Sequence, residues 1–254
     1  MTPQDNHSIS KAARLLRRSR HPIALTGAGI STPSGIPDFR SPGTGLWETV
    51  NPMQVASIYA FRRNPEAFYD WIRPLARTLV EAVPNPGHLA LAKLEAEGYL
   101  EAVITQNIDA LHQQAGSTNV LEVHGNLRSA TCMDCYQVEP TRDLIASFLD
   151  ADEFPRCSHC GGVLKPNIVL FGEQLPVKVF NAAVSQVRSA DLMLIAGSSL
   201  EVVPVSQLPL RMHRHGGCMI VVNLTETYAD DVADVVIHGD VAEVLPEIAC
   251  ACQG

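Results

Sequence analysis

Seven short apolar runs, each ending in small polar residues, constrain this chain more than any other feature. Ile23-Ala24-Leu25 leads into Thr26-Gly27-Ala28-Gly29-Ile30-Ser31, and Ala102-Val103-Ile104 into Thr105-Gln106-Asn107-Ile108-Asp109. Val120-Leu121-Glu122-Val123 leads into His124-Gly125-Asn126, and Ile168-Val169-Leu170 into Phe171-Gly172-Glu173. The last three are Leu192 to Ile195 before Gly197-Ser198-Ser199, Met219 to Val222 before Asn223, and Val235 to Ile237 before His238-Gly239-Asp240. Most of these runs are continuously apolar rather than alternating, as strands buried on both faces of a parallel sheet are. Helical spacing separates them. His88 to Glu97 carries Leu89, Ala90, Leu91 and Leu94 and stops at Gly98, and Pro176 opens a stretch with Val179, Phe180, Ala183, Val184 and Val187. The pattern predicts an α/β fold with a doubly wound parallel sheet, in which ligands bind beyond the carboxyl ends of the strands. The small polar clusters fall at those ends.

Two stretches interrupt the alternation. One, rich in Pro, Arg and aromatics, reads as a helical insert and loop over residues 41–86. The other, 127–165, reads as a small module inserted between strands, leaving 1–40, 87–126 and 166–254 to the main domain. The module holds Cys132-Met133-Asp134-Cys135 and Cys157-Ser158-His159-Cys160, with 21 residues between the pairs. Four thiolates at this spacing close a tetrahedron around zinc and leave no open position, so the metal is expected to be structural. A pair of redox dithiols is the competing interpretation. Cys218 reads as a small buried apolar residue, and Cys250 and Cys252 have no assigned role.

Composition narrows the function classes. The 254 residues carry 19 Lys and Arg against 27 Asp and Glu, a net charge of −8, which argues against nucleic acid as a partner. No run reaches the ~18 apolar residues of a membrane span. The polar start, Met1-Thr2-Pro3-Gln4-Asp5-Asn6-His7, lacks the pattern of an export signal, so a reducing cytoplasm is expected.

The turn Gly27-Ala28-Gly29-Ile30-Ser31 suggests a phosphate-approaching strand-to-helix loop. It departs from G-x-G-x-x-G, because Thr32 stands at the third glycine. Glu48, at about the separation of a ribose-binding acid, does not end a strand. A dinucleotide fits this fragment better than hydride chemistry does.

Taken together, these motifs make the chain resemble the sirtuin family of NAD-dependent protein deacylases. The resemblance rests on Gly27 to Ser31, Gly35-Ile36-Pro37-Asp38-Phe39-Arg40, Thr105 to Asp109, Val123 to Asn126, the four cysteines, Pro166 to Glu173 and Gly197-Ser198-Ser199-Leu200, in order along the chain. It implies a large Rossmann-like domain, a smaller zinc and helical domain, and a site in the cleft between them. It also implies a reaction. The acyl-lysine amide oxygen attacks the anomeric carbon of the nicotinamide ribose and nicotinamide leaves. A ribose hydroxyl then attacks the imidate, and water yields free lysine and O-acyl-ADP-ribose.

His124, a histidine at a strand end, matches the family's general base, the task an imidazole suits near neutral pH. Asn107 joins it as a catalytic residue that, with Gln106, orders the ribose and nearby water, and Ile108 and Asp109 would contact the carboxamide. Asp109 could equally cap the following helix. Gly27, Ala28, Gly29, Ile30 and Ser31 would hold the pyrophosphate side, with Arg40 beside it, Asp38 orienting that cation and Phe39 shielding the reactive sugar carbon. Gly197, Ser198, Ser199, Asn223, Leu224 and Val241 are the expected adenosine-side contacts. His112 is expected to pack on the helix after Asp109.

For the acyl-lysine, the resemblance implies backbone pairing of an acetylated protein or peptide between Gly172-Glu173 and the segment containing Val202, with Val169 and Phe171 walling an apolar tunnel. Glu173 and Glu201 could favour basic flanking residues. Relatives that prefer succinyl or malonyl groups carry Tyr-x-x-Arg in the insert; here Ile72 follows Tyr69 at the Arg position, and Arg73 is one residue late. Acetyl is therefore the expected substrate group and a monomer the expected state. Mono-ADP-ribosyl transfer at the same site and a silent NAD-binding scaffold are the competing functions.

Overall fold

Among the described residues, nine strands form two sheets: β1 Pro22–Thr26, β2 Ala102–Thr105, β3 Val120–Glu122, β4 Gly125–Cys132, β5 Val138–Pro140, β6 Leu164–Ile168, β7 Leu192–Ala196, β8 Cys218–Asn223 and β9 Val235–His238. The computed structural model describes residues 3–39, 41, 43, 45–48, 50–150 and 154–254. Arg40 lies outside them. The chain divides into two compact units and passes between them at 34/35, 82/83, 123/124 and 176/177.

The first unit comprises 1–34, 83–123 and 177–254. Its sheet has the order β3-β2-β1-β7-β8-β9, with every pairing parallel. β1, β2 and β7 are buried along their whole length, which is why their sequences do not alternate. Helix Pro86–Ala96 starts at Asn85, whose Oδ1 accepts the Gly87 N–H at 2.9 Å, and Gly98 follows it with φ +80°. The helix expected after Pro176 runs Val177–Ser189. Two helices that the apolar runs do not announce, Pro3–Arg18 and Val241–Ala251, supply Ala12, Leu16, Leu245 and Ile248 to the core of this unit.

The second unit comprises 35–82 and 124–176. Here six of the seven expected runs part from the seventh. The Ile168-Val169-Leu170 run belongs to no parallel strand; Ile168 ends β6, in a three-stranded sheet of order β5-β4-β6 with antiparallel pairings. Three apolar residues in a row fit either kind of strand, and only the flanking chain decides. Helices Ile58–Arg63 and Pro65–Glu81 pack through Phe61, Phe68, Tyr69 and Ile72, all buried.

Candidate functional site

At the carboxyl ends of β1 and β7, two turns interlock through their main chains. The Gly29 N–H donates to the Gly197 carbonyl at 2.9 Å, and Gly27 donates to the Ala196 carbonyl at 3.4 Å. A Cβ on Gly27 or Gly29 would stand 2.9 Å from the Gly197 oxygen. Chain-to-chain contact thus suffices to require these glycines, apart from any ligand approach. Ser198 takes an N–H from Gln106 Nε2 on its Oγ at 2.9 Å, and Ser199 is exposed. Asn223 ends β8 buried, its Nδ2 donating to the Thr225 carbonyl at 2.8 Å, and Leu224 is exposed. The Val241 side chain is buried in the core, so what this position offers a ligand is main chain at the start of a helix capped by Asp240.

Beyond β2 lies a buried polar network. Ser31 Oγ donates to Asp109 Oδ2 at 2.7 Å and accepts from Asn107 Nδ2 at 3.0 Å; that amide also reaches the Gly27 carbonyl at 3.1 Å. Asp109 Oδ1 accepts the Leu111 N–H at 2.9 Å, so the carboxylate holds the first amide of helix Leu111–Gln114 with one oxygen and Ser31 with the other. Burial is the chief influence on its carboxyl and raises it above the usual range, against the hydrogen bonds from Leu111 and Ser31. Ile108 is half-buried beside this pair.

His88 completes the network, and the sequence reading gave it only to the helix. The Asn85 N–H donates to its Nδ1 at 3.4 Å, so the neutral ring carries its proton on Nε2, 3.4 Å from Ser31 Oγ. The signal was the Asn-x-x-His spacing of a capping box. His112 is buried in its helix, as expected, with Nε2 2.9 Å from Thr26 Oγ1 and its ring 4.9 Å from that of His88. Thr26 Oγ1 donates to Thr105 Oγ1, which accepts the Asn107 N–H at 3.1 Å. Burial lowers His88 to about 4, and burial with the His88 charge lowers His112 to about 3, so both are neutral near pH 7.

In the second unit, His124 is half-buried, and its carbonyl accepts the Val169 N–H at 2.8 Å. Gly125 beside it has φ +79°, and a Cβ there would stand 2.1 Å from the Asn167 oxygen, so β4 can approach β6 only through glycine. The Phe171 N–H donates to Ala56 and its carbonyl accepts from Ile58 N–H, while Tyr59 Cε2 would meet a Cβ on exposed Gly172 at 3.0 Å. Glu173 points inward: its Oε2 accepts the Leu170 N–H at 2.9 Å and pairs with Lys165 Nζ at 3.0 Å. That carboxylate is already engaged; Glu201, the other acid considered for basic flanking residues, is exposed. Asp38 accepts from Ser41, and Phe39 stacks on Trp47 at 5.1 Å, with Trp71 stacked on the far face at 5.4 Å and Phe171 edge-on at 6.0 Å. Val202 belongs to the first unit, half-buried, and its carbonyl accepts the Ser206 N–H.

The four cysteine sulfurs lie within 4.8 Å of one another, the only group of three or more metal-ligating side chains among the described residues. Cys132 and Cys160 Sγ are 3.5 Å apart, and Cys135 and Cys157 Sγ 3.6 Å. A tetrahedron with Zn–S bonds of ~2.3 Å has edges of ~3.8 Å, so the four sulfurs fit zinc. Each knuckle turns through a left-handed residue, Tyr136 and Gly161, and amides of Asp134 and Gly162 point at Cys132 and Cys160 Sγ. No role remains for His159.

A doubly wound parallel sheet with polar groups at its strand ends, joined to a four-cysteine module, defines an NAD-dependent protein-modifying enzyme of the sirtuin type. The Sir2 family model matches residues 27–204. An NAD-dependent protein deacetylase of Caldivirga maquilingensis is 48% identical over 96% of this chain and 93% of its own. Among solved structures, one described as the structural basis for the mechanism and regulation of Sir2 enzymes has a TM-score of 0.92 at 44% identity, covering 97% of this chain and 98% of its own. A Sir2 complex with deacetylated p53 peptide and 3′-O-acetyl ADP ribose has a TM-score of 0.89 at 42% identity, covering 94% and 96%. The chain belongs to the Sir2 family.

Proposed function

We propose that this chain removes acetyl groups from protein lysines with NAD, releasing nicotinamide, O-acetyl-ADP-ribose and free lysine. The observation that carries the reading is the buried Ser31-Asn107-Asp109 network at the strand ends, a preorganised amide and carboxylate, held by their own hydrogen bonds, suited to a ribose and a carboxamide. NAD, when bound, supplies an electrophilic sugar carbon with nicotinamide as its leaving group.

Ser198, Ser199, Asn223, Leu224 and the Val241 main chain would hold the adenosine half, and the Gly27 to Ser31 turn the pyrophosphate. Gln106, Asn107, Ile108 and Asp109 would hold the nicotinamide half, and Asp38, Phe39 and Arg40 are the further cofactor contacts that the family resemblance implies. His124 would accept the proton of a ribose hydroxyl at its imidazole. Val169, Phe171, Gly172, Glu173 and Val202 would take the acetyl-lysine and its main chain, with the Phe39-Trp47-Trp71 stack favouring an apolar acyl group. Cys132, Cys135, Cys157 and Cys160 would hold zinc with four thiolates, which would tie the module together and leave no open coordination position.

No helix among the described residues is long and apolar enough to cross a membrane. Unpaired thiols and a zinc site suit a reducing cytoplasm. The net charge of −8 suits a peptide partner better than nucleic acid.

Mass spectrometry of the products formed from NAD and an acetyl-lysine peptide tests the reading. O-acetyl-ADP-ribose is expected from the native chain and about a hundredfold less from His124→Ala. ADP-ribose attached to protein, with the acetyl group retained, would favour the transferase alternative.

A further inference from the structure

Lys165 is 8% exposed, in a chain whose other lysines are half-buried (Lys11) or exposed (Lys93 and Lys178). Its Nζ donates to the Pro166 carbonyl at 3.0 Å and the Ile168 carbonyl at 2.9 Å, and pairs with Glu173 Oε2 at 3.0 Å. An ammonium has three hydrogens, and here each has an acceptor. We propose that Lys165 is a positioning residue for substrate: through Glu173 it fixes the main chain of 166–173 in the shape that receives the acetyl-lysine. The proposal rests on the deacetylase reading above.

Three consecutive amides show how that shape is set. Val169 N–H is held by the His124 carbonyl, Leu170 N–H by Glu173 Oε2, and Phe171 N–H by the Ala56 carbonyl. Glu173 N–H returns to the Leu170 carbonyl at 3.0 Å. The middle amide is the one whose partner is a side chain, and that side chain is held in turn by Lys165. Removing the cation would free the carboxylate to turn toward water, and Leu170 would lose its anchor between the residues proposed to wall the tunnel, Val169 and Phe171.

A buried ion pair is a poor way to gain stability, because well-packed apolar residues commonly do as well. What the pair supplies is direction: two carbonyls and one carboxylate are aimed at a single point. The register of β4 and β6 fixes that point, since Lys165 faces Thr131, one residue before the zinc-site Cys132.

Steady-state kinetics with an acetyl-lysine peptide and NAD, each varied separately, test the proposal on the zinc-loaded full chain. Lys165→Met is expected to raise the peptide KM by about tenfold while the NAD KM stays within about twofold. Lys165→Arg, which keeps the charge, is expected to recover most of the loss. Glu173→Gln keeps an oxygen for the Leu170 N–H and loses the ion pair, so it is expected to show a smaller rise of the same kind; it carries the test if Lys165→Met does not fold. Native turnover with the peptide KM unchanged in the folded variants, or with both KM values rising together, overturns the proposal alone. A native chain that leaves the peptide acetylated overturns the deacetylase reading and the proposal with it.

Discussion

Gly197 and Ile30 are so close that a Cβ built on the glycine would stand 2.2 Å from the isoleucine amide nitrogen. The same glycine has φ +60°, a conformation that disfavours every residue with a side chain. Gly197→Ala therefore meets both a backbone clash and a strained dihedral. A loss of at least about 2 kcal/mol in urea unfolding is expected, with a raised NAD KM because the β1 and β7 turns must separate. Gly35→Ala is the control: its φ of +85° carries the strain, but nothing lies within 4 Å of its Cβ. A cost as large as that of Gly197→Ala would show that the dihedral, not the contact, decides.

The zinc module offers a second expectation. Four thiolates bring their mutual repulsion and desolvation into one small space, and only the metal offsets them. Cys157→Ser should bind less than about a tenth of the native zinc, measured as metal per chain, and should lose the cooperative unfolding of the module. Chelation should do the same to the native chain and return on adding zinc. Unchanged catalysis after full metal removal would mean that the module folds without it.

The histidine pair behind the network gives a pH dependence. His88 and His112 fall to about 4 and about 3 from an ordinary value of 6.5, so in that interval the unfolded chain binds protons that the native chain refuses. Native stability is then complete above pH 6.5 and declines as the pH drops toward 4. Each ring adds a slope of up to about 1.4 kcal/mol per pH unit. Replacing one ring by a side chain that does not titrate, His112→Gln, should flatten the slope by most of that amount between pH 6 and 5, read from urea midpoints. Parallel slopes for the two proteins would place the imidazoles outside the acid transition.

What the sequence disclosed follows from which interactions are local. Strands β1, β2 and β7 were legible because burial on both faces removes alternation, a property each carries in its own residues. The two cysteine pairs were legible because spacing alone sets a knuckle. His88 was not, because its Nε2 reaches Ser31 across 57 positions. Lys165 was missed for a different reason: its partners lie one, three and eight positions on, but one cation within Leu164 to Leu170 looks like an outward-facing strand residue until Glu173 and the two carbonyls turn toward it. The Ile168 run was misplaced because three apolar residues do not encode which sheet they join.

Acyl selectivity is where the two levels meet. The sequence puts Ile72 where a carboxylate-binding Arg would follow Tyr69, and the structure removes Tyr69 as well. Tyr69 is 3% exposed, its hydroxyl donates to the Leu164 carbonyl at 2.5 Å, and its ring stacks on Phe154 at 5.6 Å. Ile72 is 4% exposed. Arg73 is turned to the Phe148 carbonyl and lies 4.3 Å over that residue's ring. Neither the phenol nor a cation at these positions is poised to receive a distal carboxylate, whose burial without a partner is costly. On matched peptides, acetyl-lysine should turn over at least about tenfold faster than succinyl-lysine, a difference of about 1.4 kcal/mol or more. Ile72→Arg should not convert the preference, because it puts a guanidinium at a position only 4% exposed; the expected result is a lower melting temperature with both activities reduced. Equal rates on the two native substrates, or succinyl turnover gained in Ile72→Arg, would show that this pocket reads acyl charge by other residues.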